Sequence, residues 1–208
     1  MTISIIGAGN VGKALAKAFI RQGKSVYFGV PDPEKYRDLV QSLGANAQLG
    51  TVAQAVNAND LVIMAVPYAA AELVVKSVEE WKGKVLVDAT NPVAQGRAGL
   101  AVGTTTSGAE TVASFAKGAR VVKAFNTTGA ENMADSNFAS GQPMMPICGD
   151  DDDARRRVIE LATLIGFDAI DCGPLYAARY IEPFAMLWIH LAFKQGLGRQ
   201  FAFARIKR

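Results

Sequence analysis

With 208 residues, half of them hydrophobic, the chain has the length of one large domain and the material for a substantial core, which excludes a disordered chain. The 22 Lys and Arg against 19 Asp and Glu leave a net charge of only +3, so nucleic acid is not an expected partner. Two cysteines without CxxC spacing indicate neither a zinc site nor a disulfide framework, and Cys148 and Cys172 read as small buried hydrophobes.

Short apolar runs alternate with helical periods along the chain. That alternation predicts an α/β fold, with a mostly parallel sheet covered by helices on both faces. The first predicted strand, "ISII" at 3–6, begins almost at Met1. This leaves no room for a signal peptide, and a cytoplasmic protein is expected. After it, Val11, Leu15, Ala18 and Phe19 recur at helical spacing, and Gly23 stands where a helix C-cap belongs.

Further strands are predicted at 25–29, 60–66, 84–89 and 120–125, their Val, Ile and Leu content fitting burial on both faces. "MPICG" at 145–149 and "FDAIDCG" at 167–173 could extend the sheet. Between them, "GDDDDARRRVIELATLIG" places acids at a helix start, which the macrodipole favours, and is not read as a metal site. Asp32 and Pro33 suit the N-cap and first position of a helix, and "SGAE" at 107–110 has capping-box spacing. Asn91 to Ser107 is the one long irregular stretch, a length often used for functional lids.

Near the C-terminus, the apolar run from Phe184 to Phe193 falls well short of the ~20 residues of a membrane span. Its apolar residues surround the helix, so it is expected to meet another subunit in a homodimer. His190 on that helix reads as a packed residue. The basic end, Arg205, Lys207 and Arg208, reads as a solvated terminus. The chain is expected to divide into a dinucleotide-binding part, 1–145, and a C-terminal extension, 146–208, that closes the acceptor site and forms the dimer interface.

The dinucleotide reading rests on Gly7, Gly9 and Gly12, a G-x-G-x-x-G set between a strand and a helix. Gly7 permits the tight turn, Gly9 lets backbone approach a pyrophosphate, and Gly12 lets helix and strand pack closely. The N–H groups of the helix start then face the anion. After the second strand come Gly29, Val30, Pro31 and Asp32. An acid there would bind the ribose hydroxyls of NAD, and a base the 2′-phosphate of NADP. Asp32 reads as an N-cap, while Lys35 and Arg37 are placed to reach a phosphate, so both cofactors stay open.

The glycine turn, "VVKAFNT" at 121–127, and "GDDDDARRRV" followed by "DCGPL" together resemble the NADPH-dependent reductases of the deazaflavin coenzyme F420. They are also similar to the cytosolic oxidoreductase domain of six-transmembrane metalloreductases. The resemblance runs from Ile3 to about Leu197. It implies a doubly wound Rossmann-type domain with a small C-terminal helical part, and direct hydride transfer between NADP(H) and a flavin or F420 ring.

Carried over by position, Gly7, Gly9, Asn10 and Val11 would hold the pyrophosphate. Val66 and Pro67 would lie against the dinucleotide, and Asn91, Pro92, Asn126 and Thr127 would follow the next strand ends. Members of the family commonly carry a basic residue where this chain has Pro31, so NAD stands beside NADP. Ring-to-ring transfer needs no protein acid or base, and no catalytic side chain is assigned. Two alternatives stand beside this reading. One is a reductase of a small carbonyl or imine compound, for which Lys123 is the nearby candidate acid. The other is a non-catalytic NAD(P)-binding redox sensor.

Overall fold

The computed structural model describes residues 2–208; Met1, at the start of the expected dinucleotide part, lies outside them. Eight strands form one sheet: β1 Thr2–Ile6, β2 Ser25–Gly29, β3 Ala47–Gly50, β4 Leu61–Met64, β5 Val85–Asp88, β6 Arg120–Lys123, β7 Met144–Gly149 and β8 Asp168–Asp171. Their order is β3-β2-β1-β4-β5-β6-β7-β8. All neighbours pair in parallel except β6 and β7. β3 escapes the apolar-run criterion because its sequence, AQLG, holds a single large apolar residue. The sheet runs through residue 146, since β7 pairs with β6 on one side and β8 on the other.

The helices are α1 Asn10–Arg21, α2 Arg37–Leu43, α3 Val52–Ala58, α4 Tyr68–Lys76, α5 Gly108–Phe115, α6 Ala130–Ala134, α7 Asp152–Leu164 and α8 Ala178–Phe193. Alternate strand residues face opposite layers. Ile5, Ile63 and Val87 pack with Leu15 and Phe19 of α1, Met133 of α6 and Val158 of α7. Ile6, Val62 and Leu86 pack with Val75 of α4, Val112 of α5 and Ile181 of α8.

Caps set the helix starts. Thr51 and Gln54 form a full capping box at α3. Ser107 accepts from the Glu110 amide at α5, and the Glu110 carboxylate accepts from the Ser107 hydroxyl at 2.8 Å and from Arg179 of α8 at 2.6 Å, not from the Ser107 amide that a full capping box would use. Asp151 caps α7 through the Ala154 amide at 2.7 Å, and the neighbouring Asp152 and Asp153 pair with Arg155 and Arg156. The reading of Asp32 needs correction: it precedes a 3₁₀ turn, Pro33–Tyr36, its side chain caps nothing, and it pairs with Lys35 at 3.2 Å.

The end of the chain also departs from expectation. Lys207 and Arg208 are exposed, but Arg205 binds both oxygens of Asp168, because the segment before it docks on the body. The Phe203 carbonyl accepts from the Met144 amide, and Phe201 stacks on Trp188 with ring centroids 5.3 Å apart. Trp188 Nε1 donates to the Phe201 carbonyl at 2.8 Å. A Cβ at Gly129 would come within 2.8 Å of the same indole, so α6 and α8 meet only across a glycine. Trp188→Ala should cost ~3–5 kcal/mol of stability and release the tail, read as a lower urea midpoint and earlier proteolysis after Gly198.

Candidate functional site

The strand ends of β2, β1, β4, β5 and β6 stop at one level. The ladder pairs Ile6 with Gly29 and Met64, Met64 with Asp88, and Asp88 with Lys123. Gly7, Val30, Val66, Asn91 and Asn126 therefore follow one another along the same carboxyl edge. The strand order reverses between β1 and β4, the position where open α/β sheets bind ligands.

Two of the three motif glycines are required by the fold. Gly7 has φ +97°, and a Cβ there would lie 2.5 Å from the Ala65 carbonyl oxygen. A Cβ at Gly12 would lie 2.1 Å from the Gly7 carbonyl oxygen. Gly9 differs: its φ is −76°, and a Cβ there would meet nothing within 4 Å. The protein has no packing reason for glycine at that point; a ligand lying against the backbone would supply one. α1 also starts without a side-chain cap or an acid in its first turn, leaving its N–H groups available to an anion.

Further along the edge, Phe125 adopts φ +57°, a costly conformation for a bulky residue. Its buried ring, edge-on to Phe19 at 6.3 Å, holds it there. The next residue, Asn126, donates through Nδ2 to Asn91 Oδ1 at 3.0 Å, and Asn91 Nδ2 donates to the Asn126 carbonyl at 2.8 Å. Asn126 Oδ1 is buried with no partner among the described residues. Such an acceptor costs ~1–3 kcal/mol unless a donor reaches it, and a bound ligand's amide or hydroxyl would do so. Thr127 is buried beside Met145, Pro92 is buried, Val66 is half-buried and Pro67 is exposed at the start of α4. Lys35 and Arg37 are exposed beyond β2, each paired with an acid of its own turn, Asp32 and Glu34.

Beneath this edge lies a feature the sequence does not announce. Lys123 Nζ, fully buried, contacts Asp88 Oδ2 at 2.9 Å, Glu182 Oε1 at 3.1 Å and the Thr90 carbonyl at 2.6 Å. Glu182, on α8, accepts from the Gly108 and Ala109 amides at 2.8 and 3.0 Å. Burial by itself would lower the lysine pKa, but the attractions of Asp88 and Glu182 together prevail and hold it above its ordinary 10.5.

The 91–107 stretch folds back on itself through a Val93–Leu100 bridge. With α8 it borders an open cavity of about 620 Å³, lined in part by Arg97, Leu100, Thr104, Leu187 and His190. His190 is thus exposed at this cavity, a correction to its reading as a packed residue: it sits on the side of α8 away from Trp188 and the sheet.

A doubly wound sheet with a glycine turn at its switch point defines the Rossmann class of dinucleotide-binding proteins. Within that class, a family model described as "NADP oxidoreductase coenzyme F420-dependent" matches residues 2–92. The F420-dependent NADP reductase of Methanothermobacter marburgensis is 35% identical over 210 residues, which cover 93% of each chain. A putative F420-dependent NADP reductase from Arthrobacter sp. FB24, solved by crystallography, superposes with a TM-score of 0.85 at 26% identity, over 98% of this chain and 99% of that one. Metalloreductase STEAP3 of Rattus norvegicus is 31% identical over 86% of this chain, which spans only 35% of that relative. The chain belongs to the family of F420-dependent NADP reductases.

Two outcomes follow from the geometry. Gly9→Val should fold normally and lose dinucleotide binding in calorimetry, whereas Gly12→Ala should lose stability first. Lys123→Met strands two buried carboxylates and should cost ~3–5 kcal/mol. Because the folded pKa of Lys123 is raised, its stabilisation is complete below pH 10.5 and is lost only as the pH climbs through the folded value. The urea midpoints of the two proteins should therefore converge at strongly alkaline pH.

Proposed function

We propose that the protein passes hydride between NADP(H), bound along the glycine turn, and a flavin or deazaflavin of the F420 type. The nicotinamide and the acceptor ring supply the redox chemistry when both are bound. The chain's own part is placement, with donor and acceptor carbons needing to lie about 3–3.5 Å apart. The observation that carries the proposal is the carboxyl edge itself: Gly9 and the uncapped α1 suit a pyrophosphate, while the buried Asn126 Oδ1 awaits a donor on the same edge. Asn91 holds the Asn126 backbone and amide, so the two act as one positioning unit. Val66 and Pro67 form the wall between the turn and that pair.

Reduction of a small carbonyl or imine would call on Lys123 as acid, and that ammonium is fully buried and committed to two carboxylates and the Thr90 carbonyl. A non-catalytic sensor would bind the dinucleotide and reduce no acceptor. For the cofactor, NADP is favoured over NAD through Lys35 and Arg37. Their present ion pairs are solvent-exposed, worth ~0–1 kcal/mol, and weak enough for a 2′-phosphate to displace.

The C-terminal extension, 146–208, closes the acceptor side. α8 also shows Tyr180 and Leu187 on its outer surface, 71% and 47% exposed, and is proposed to meet a second copy there in a cytoplasmic homodimer. No helix among the described residues is long and apolar enough to cross a membrane.

Asn126→Ala should slow NADPH oxidation more than it weakens dinucleotide binding. The assay uses stereospecifically deuterated NADPH with F420, FMN and FAD offered separately. No turnover with any of them, in protein that binds NADPH, would establish the sensor instead. Removing the true 2′-phosphate partner among Lys35 and Arg37 should weaken NADP by roughly ten- to a hundredfold and leave NAD unchanged. Light scattering at micromolar concentration tests the dimer.

A further inference from the structure

Asp88, Lys123 and Cys148 stand side by side across three strands, since the ladder pairs Asp88 with Lys123 and Lys123 with Cys148. The register of β7 with β8 pairs Ile147 with Asp171, which brings Cys172 next in the row. Backbone hydrogen bonds flank the two cysteines. The Cys172 amide donates to the Ile147 carbonyl at 2.7 Å, and the Gly149 amide donates to the Gly173 carbonyl at 3.0 Å. Residues opposite each other in a ladder present their side chains on one face. Both cysteines accordingly join the cluster under α8, Cys148 buried within it and Cys172 half-buried against it.

Neighbouring strands lie about 4.8 Å apart. That spacing falls inside the ~4.4–6.8 Å between Cα atoms that a disulfide spans. The backbone therefore already stands where a bridge needs it. Each thiol's own hydrogen bond is long: Cys148 donates to the Leu175 carbonyl at 3.6 Å and Cys172 to the Ile170 carbonyl at 3.7 Å. Thiols are weak donors, so neither contact holds the two sulfurs apart.

Buried cysteines are ordinarily inert, and adjacency is what separates this pair from that rule. Burial is the main influence on both thiols and raises both, Cys148 to about 12. Cys172 and Glu182 push Cys148 further up and Lys123 pulls it down, while Asp171 raises Cys172. A dithiol whose thiolates are not stabilised reaches its disulfide slowly and, once closed, resists reduction.

We infer that Cys148 and Cys172 form a dithiol site that a peroxide closes to a disulfide, tying the edge strand β8 to β7 beside the Lys123 cluster. Cys172, the more accessible thiol, reacts first. Its thiolate attacks a peroxide oxygen, the O–O bond breaks, and a sulfenic acid forms while the thiol proton and the departing hydroxide leave as water. The Cys148 sulfur then attacks the sulfenic sulfur. An S–S bond forms, the S–O bond breaks, and the Cys148 proton leaves in a second water. The two thiols together lose two electrons, and the peroxide gains them. β8 ends the strand order, so β7 is the one strand it pairs with, and a covalent bond to β7 restrains its opening.

The test treats the reduced full chain with hydrogen peroxide overnight at mildly alkaline pH, where the thiolate fraction is larger, then unfolds it and labels it with N-ethylmaleimide. The chain has two cysteines, so its intact mass reports the outcome directly. Both labels should be lost together in a monomeric chain lighter by two hydrogens, and dithiothreitol should restore both. Cys148→Ala should leave Cys172 as a sulfenic acid that dimedone traps, and Cys172→Ala should keep the Cys148 label. Phenylarsine oxide, which bridges adjacent thiols, should bind the reduced protein and neither variant. In the oxidised protein the β8 amides should exchange roughly tenfold or more slowly and the urea midpoint should rise. Retention of both labels, loss of one alone, disulfide-linked dimers, or no arsenical binding overturns the site. A disulfide that leaves β8 exchange and the urea midpoint unchanged overturns the tie between β7 and β8.

Discussion

One buried ammonium ties the architecture together. Lys123 sits on β6 and draws in Asp88 from β5 and Glu182 from α8, all essentially inaccessible to solvent. Two carboxylates on one ammonium leave an excess negative charge. The amides of Gly108 and Ala109, at the positive end of α5, offset it. Such a cluster is costly to desolvate and tolerates no missing member, so it works as a geometric constraint more than as a source of net stability. Its reach is wide. The Thr90 carbonyl at the start of the long loop and the α5 amides at its end are both bound to it, and so is the helix forming the cavity's opposite wall. Loop and helix are positioned by a single set of charges.

That constraint separates the two halves of the candidate site. On one side, backbone dominates: a glycine turn, an uncapped helix and strand ends aligned by the parallel ladder offer N–H groups and close approach. On the other side, side chains dominate: the Asn91–Asn126 pair and the cavity roofed by α8. Phe125 joins them. Its left-handed backbone is held by its packing against Phe19 of α1, the same helix that starts at the glycine turn. A shift of α1 would therefore be felt at Asn126 through one buried ring.

The docked C-terminal segment adds a second layer of cover. Phe201 and Phe203 bury the inner side of α8, which leaves Tyr180 and Leu187 outside. Helix burial is thus divided between the chain's own tail and an outward face that the proposed partner subunit would occupy.

Local chemistry made much of this readable from residue order. The glycine spacing, the β-branched strand runs and the acid-rich start of α7 each act over a few neighbouring residues, and each predicted element is present. The sites that follow strand ends could be named because parallel sheets place all their carboxyl ends on one edge. β3 was missed because its pairing comes from the neighbouring strand and not from its own apolar content. The Asp32 side chain could not be assigned from spacing, since a 3₁₀ turn and Lys35 compete for it. His190 sits on an apolar helix, yet which side of that helix faces solvent depends on where Trp188 and the tail dock. The Lys123 cluster was the least legible feature. Its charged members are Asp88, Lys123 and Glu182, with Gly108 beside them, and they are scattered along the chain, brought together only when β5, β6, α5 and α8 pack. A lysine in a strand carries no local sign of two distant carboxylates, because the forces that join them exist only once water has been excluded from between them.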